Sequence, residues 1–162
     1  MTKLIYLLLA AAIGIQLFIH YPALPDRMAS HYDFAGNPND WMSKQGLVAF
    51  YLGTSGFVLG LFALIPRLLR ILPTSLINMP NKDYWLAPER KEASLAVMGV
   101  YMDVFAAGVG VLLVTVFEMT FRANEGGDGR LPFPGIVLGA FLAFTVAWIV
   151  ALTRRFRKPA AV

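Results

Sequence analysis

Cysteine is absent from the 162 residues, so no disulfide framework, thiolate metal site or cysteine nucleophile is available. Charge is scarce: 15% of the residues are Asp, Glu, Lys or Arg, against about 25% in a soluble domain. Histidine occurs twice, so a bis-histidine haem would have to use both. A phosphate-binding glycine loop, a nucleophile elbow and a His-Glu-x-x-His helix are also missing. Together these absences exclude an ordinary soluble enzyme. What the chain has in excess is apolar. Hydrophobic residues make up 57% and the mean hydropathy is +0.61, where a soluble domain carries roughly 45–50%. A core of this size cannot absorb so many apolar side chains, and lipid is the solvent that accepts the rest. The length suggests a single integral membrane domain over residues 1–162.

A hydrocarbon layer about 30 Å thick needs roughly 20 apolar residues in a helix. Four runs meet or approach this, predicting an all-α bundle with spans at about 4–20, 46–66, 93–121 and 131–152. The first run also resembles a signal peptide, with Lys3 before an apolar centre and Ala10-Ala11-Ala12 as a cleavage site. The run continues to Ile19, which favours a retained span. Pro88 suits the first position of the third helix, which would then extend to Phe121 and be about 50 Å long.

Lys and Arg set the orientation. Lys3, five basic residues between the second and third spans, and four after the fourth give ten on one side. Arg27, Lys44, Arg122 and Arg130 give four on the other. Both termini are expected in the cytoplasm, with the loops at 20–45 and 122–130 outside. Basic residues placed beside apolar runs mark topology, so the net charge of +4 does not point to nucleic acid. Small residues are expected to line helix contacts: Gly53, Gly56 and Gly60, then Ala106, Ala107 and Gly110, then Gly135, Gly139 and Ala143.

The outer loop is dense in specific residues. Pro22 and Pro25 hold an extended exit from the first helix, and Gly36-Asn37-Pro38-Asn39 reads as a turn. Trp41 and Lys44 suit an aromatic and snorkelling anchor before the second span. His31 and Asp33 fall on one side of an extended segment and, with His20, could bind a ligand. Their spacing matches no specific metal motif, and local hydrogen bonding explains them as well. In the inner loop, Asn81, Lys82, Asp83 and Arg90 could pair among themselves or bind lipid phosphate, beside the interfacial Tyr84 and Trp85. Asp103 lies about 10 Å inside the third span, with Arg67 or Arg70 as expected partner. Glu118 lies level with Gln16 and His20. A carboxylate in hydrocarbon is costly, so each is a functional candidate or half of a structural pair. Asp103→Leu is expected to disrupt assembly or activity more than Glu118→Gln.

Leu24-Pro25-Asp26, His31-Tyr32-Asp33, Gly36-Asn37-Pro38, Trp41 and Ser43-Lys44 resemble the loop of a bacterial membrane family called domain of unknown function 1648. They also resemble the first part of SdpI-like proteins, named for an immunity protein and signal transducer of a sporulation-delaying toxin. Asn78-Met79-Pro80-Asn81-Lys82-Asp83-Tyr84-Trp85 is similar to a stretch in short members of that domain family. The resemblance spans about residues 1–95. It implies a bacterial inner-membrane protein with an outward loop and supplies no catalytic residues.

The combined reading is a binding, immunity-like or sensing protein, more in keeping with a non-enzyme, with no cofactor assigned. Its ligand-binding candidates are His31, Asp33, Trp41, Lys44, Asn81, Asp83 and Asp103. Its expected partners are membrane lipid and a peptide toxin or a larger membrane complex. An accessory subunit of such a complex, or a small enzyme or transporter using Asp103, are the alternatives.

Overall fold

The computed structural model describes residues 2–126 and 129–159, the side chains of Thr2 and Lys3 excepted. The apolar runs form four long helices, α1 (Thr2–His20), α2 (Lys44–Ile71), α4 (Lys91–Gly126) and α5 (Pro134–Arg155), with a single turn, α3 (Lys82–Trp85), in the loop between α2 and α4. Each of the four is long and apolar enough to cross a membrane. The spanning part is thus all-α and polytopic.

Local chemistry explains the ends. Ser43 caps α2, its Oγ accepting from the Gly46 amide at 3.1 Å. Pro134 opens α5, where its missing N–H costs nothing. Pro66 lies inside α2 without ending it. Its ring lies 3.6 Å from where a Cβ on Gly99 of α4 would stand. The third long helix departs from expectation at both ends. It begins at Lys91 rather than Pro88 and continues to Gly126, about 54 Å at 1.5 Å per residue. Pro88 instead sits in a turn whose Ala87 carbonyl accepts from the Arg90 and Lys91 amides, both at 2.9 Å.

α4 is the central element and packs against α1, α2 and α5. α5 has no buried residue and, among the long helices, packs chiefly against α4. Two buried apolar clusters sit at opposite ends of the bundle. One joins Ile13, Leu24, Met28, Leu47, Tyr51, Phe117 and Phe121. The other joins Ile77, Met79, Leu86, Leu95, Met98 and Phe156. Both contain loop residues. At the loops water supplies a hydrophobic driving force, whereas lipid gives none between helices. Mid-bundle contacts rest on close approach instead. A Cβ on Gly110 would strike Leu9, and one on Gly108 would strike Phe144. Phe105 meets Phe62, Phe141, Phe144 and Trp148.

The expectation for the other small residues is corrected. A Cβ on Gly53, Gly56, Gly60, Gly135 or Gly139 would meet nothing within 4 Å. Gly56 and Gly60 line an open groove between α1 and α2 rather than a close contact, and of the glycines named in these sets Gly110 of α4 is the one at a tight packing position.

Between α1 and α2 the chain forms an antiparallel hairpin, β1 (Arg27–Tyr32) and β2 (Pro38–Ser43). It pairs Arg27 with Ser43, Ala29 with Trp41 and His31 with Asp40, with irregular register on either side of His31. The turn is Asp33–Asn37, earlier than expected: the Asp33 amide donates to the Asn37 carbonyl at 2.9 Å. Pro38 starts β2, a position that tolerates its missing donor.

Candidate functional site

Where α1 ends, a polar cluster is buried against α4. Gln16 and His20 are 5% and 7% exposed. Gln16 Nε2 donates to Glu118 Oε2 at 2.7 Å and to the Val114 carbonyl at 3.0 Å, and its Oε1 accepts from the Tyr51 hydroxyl at 2.6 Å. His20 lies between two carboxylates, Nε2 at 3.0 Å from Glu118 and Nδ1 at 2.7 Å from Glu125. Arg122 closes the cluster with Nε 2.5 Å from Glu118. The level expected for Gln16, His20 and Glu118 is the observed one. Glu125 was missed because the third span was expected to stop at Phe121. Its seven-residue spacing from Glu118, two turns along one helix face, was the available signal. The cluster ties α1, α2 and α4 together by groups that would be costly if left unpaired.

The hairpin is fastened just above it. Asn124 of α4 accepts from the Ala29 amide at 2.7 Å and donates to the Ala29 carbonyl at 3.1 Å, acting as a short strand partner. Met28 and Ala29 are consequently buried. At the turn, the Leu131 amide donates to the Gly36 carbonyl at 2.9 Å, and Arg130 Nε donates to Asn37 Oδ1 at 2.7 Å. Gly36 has φ +82°, and a Cβ there would strike the Leu131 carbonyl, so glycine is required on two counts. At the base, Lys44 Nζ donates to the Leu24 carbonyl at 2.9 Å and lies 4.7 Å from the Tyr21 ring centre.

The seven sequence candidates do not form one site. His31, Asp33, Trp41 and Lys44 lie at the hairpin end, Asn81 and Asp83 in the loop before α4, and Asp103 within α4. Asp33 turns inward on its own loop, accepting from the Ala35 amide at 2.9 Å, the Asn37 amide at 2.8 Å and Asn37 Nδ2 at 2.9 Å. The Asn37 side-chain and backbone donors hold its carboxyl below the ordinary value, with smaller help from the Ala35 amide and Arg130. His31 bonds Asn39 instead, Nδ1 to Oδ1 at 2.5 Å, so it and Asp33 share no ligand geometry. Lys44 is engaged by backbone carbonyls. What stays outward is a polar-aromatic surface: Phe34 is 89% exposed, Trp41 45%, and Arg27 lies over the Trp41 ring at 5.6 Å.

Asn81 adopts a left-handed conformation, φ 53°, and its Nδ2 donates to the Phe156 carbonyl at 2.8 Å. Trp85 Nε1 donates to the same carbonyl at 2.8 Å. The α5 terminus is thereby clamped to the loop before α4, a pairing the sequence reading did not anticipate. Asp83 is exposed beside a polar hollow of about 430 Å³ shared with Thr74, Ser75 and Lys82.

Asp103 is 6% exposed and accepts from the Tyr6 hydroxyl at 3.2 Å. The expected partners Arg67 and Arg70 are both exposed, and among the described residues neither forms an ion pair with it. Pro66 packs level with Gly99, a helical turn short of Asp103, so these arginines lie toward the helix end. Among the described residues, no group of three or more His, Asp or Glu side chains is arranged to hold a metal.

No curated protein and no solved structure matches the chain. The loop before α4, residues 78–90, lies outside the one stretch that a family model covers. That stretch, residues 7–54, takes in most of α1, the whole hairpin and the first turns of α2, and it matches the family described as Domain of unknown function (DUF1648).

Proposed function

We propose that this protein is a bacterial inner-membrane binding or sensing protein, non-enzymatic, with both termini cytoplasmic and the hairpin as its outward recognition surface. One observation carries the reading. The hairpin is fastened to α4 through Asn124, to the α4–α5 connection through Leu131 and Arg130, and to the α1 end through Lys44, yet Phe34, Trp41 and His31 remain outward. A rigid surface presenting aromatic and basic groups loses little entropy on binding, and Trp and Arg are frequent anchors at such contacts. Ten basic residues on one side against four on the other support the orientation. A peptide ligand is the class that the likeness to SdpI-like proteins implies.

The test is crosslinking in living cells from a photoreactive residue at Trp41, compared with one at Val146 on α5. A discrete peptide or protein adduct from position 41, lost when His31→Ala and Phe34→Ala are added at normal expression, supports recognition. Lipid adducts alone from both positions refute it.

A second reading, an accessory subunit of a larger complex, is favoured by the open glycine faces of α2 and α5. Gentle detergent extraction decides it: the mass of a lone monomer or a homo-oligomer counts against that reading. Asp103 lends less support to an enzyme or transporter, because it is buried with a single phenolic partner.

A further inference from the structure

The end of the bundle opposite the hairpin holds nine described Lys and Arg residues, five within 67–91 and four within 154–158. Three acids accompany them, Asp83, Glu89 and Glu92. The carboxylate contacts of His20 and Arg122 lie at the hairpin end, and among the described residues none of these nine cations is ion-paired. The clamp on the Phe156 carbonyl gathers some of them onto one spot. Arg155 lies over the Trp85 ring at 5.3 Å, Arg90 over the Tyr84 ring at 4.2 Å, and Lys158 at 6.0 Å from the same ring. The two rings are 5.0 Å apart, edge to face. Residues more than sixty positions apart in sequence thus form a compact basic patch on an aromatic floor.

We propose that this patch is a binding site for the phosphodiester headgroup of an anionic phospholipid. Stacking on a ring occupies the face of a guanidinium and leaves its N–H edges free for phosphate oxygens. Arg90 uses only Nε internally, donating to the Tyr84 carbonyl at 2.8 Å. The patch lies where α2, α4 and α5 leave their apolar spans, and Tyr and Trp are the residues of that level. Ile71 at the end of α2 and Leu76 in the turn after it, on the same end of the bundle, are 77% and 67% exposed, an apolar surface that suits an acyl chain and is of no use to a free phosphate. Lys82, whose Nζ donates to the Ser75 carbonyl at 3.5 Å, and Asp83 line the adjoining polar hollow. An exposed carboxylate there accepts a headgroup hydroxyl, which favours phosphatidylglycerol over a bare anion.

The experiment is native mass spectrometry of the whole protein in detergent with phosphatidylglycerol, phosphatidylcholine or inorganic phosphate. Wild type should retain phosphatidylglycerol about tenfold or more over phosphatidylcholine, from two or more basic contacts at the lipid surface. The double variant Arg155→Gln/Lys158→Gln should lose most of that preference while its melting temperature in detergent stays unchanged. It keeps the Phe156 clamp, and Arg154 and Arg157 keep the terminal charge bias. If the double variant does not insert, Lys158→Gln alone should show a partial loss. Equal retention of the two lipids, a variant indistinguishable from wild type, or full competition by equimolar inorganic phosphate overturns the proposal.

Discussion

Asn124 illustrates how much one amide can do at a membrane surface. Its side chain stands in for a strand neighbour, taking the Ala29 amide and giving to the Ala29 carbonyl. Asn124→Ala leaves a buried backbone N–H without its partner and should cost about 1–3 kcal/mol. Faster amide exchange over residues 27–43, with α4 protection unchanged, is the signature expected. Asp33 makes a different prediction. Its folded-state carboxyl lies below the ordinary 3.8, because the Asn37 donors favour the charged form. A lowered value means that the stabilisation is present above the ordinary value and is lost as the pH falls through the folded one. The turn should therefore hold through the usual aspartate range and loosen only in stronger acid. Amide resonances of Ala35 and Asn37 followed against pH would show this, and a midpoint at or above 3.8 would contradict it.

Among elements, the pairing of α4 with its neighbours is where substitutions separate. Gly110→Leu drives a side chain into Leu9 and should destabilise by about 1–3 kcal/mol. Gly56→Ala meets open space and should leave stability unchanged or raise it by up to about 1 kcal/mol. Melting of both variants in one detergent compares them directly, and equal losses would mean the helices pack otherwise. The partners of Asp103 and Glu118 favour the opposite order to that read from the sequence. Glu118 joins Gln16, His20 and Arg122, whereas among the described residues Asp103 accepts only from Tyr6. Replacing an isolated buried carboxylate by an apolar side chain is often tolerated, while removing one member of a network strands the others. Glu118→Gln should therefore lower the melting temperature more than Asp103→Leu.

For the whole molecule, the absence of cysteine makes orientation directly measurable. Ala35 and Pro159 are both exposed, at opposite ends of the bundle. With single cysteines introduced there, an impermeant maleimide should label Ala35→Cys in intact cells and Pro159→Cys only after permeabilisation. The reverse pattern would invert the proposed orientation and place the hairpin in the cytoplasm.

The four spans were legible because lipid imposes a length and an apolarity on any helix that crosses it, whatever its neighbours. The level of Gln16, His20 and Glu118 followed from the same arithmetic, since a fixed rise per residue places polar groups at comparable depths. Contacts between distant segments were not legible. The pairing of Asn124 with Ala29, the clamp of Asn81 and Trp85 on Phe156, and the choice of Gly110 over Gly56 as a packing glycine depend on how helices rotate about their axes. In a chain apolar on nearly every face, hydrophobic patterning carries little information about that rotation. Composition and run length alone thus determined that this chain is a four-span membrane protein with a structured loop. The tertiary structure alone decided which polar groups meet, because close packing and hydrogen bonding, not water, select the partners of each helix face.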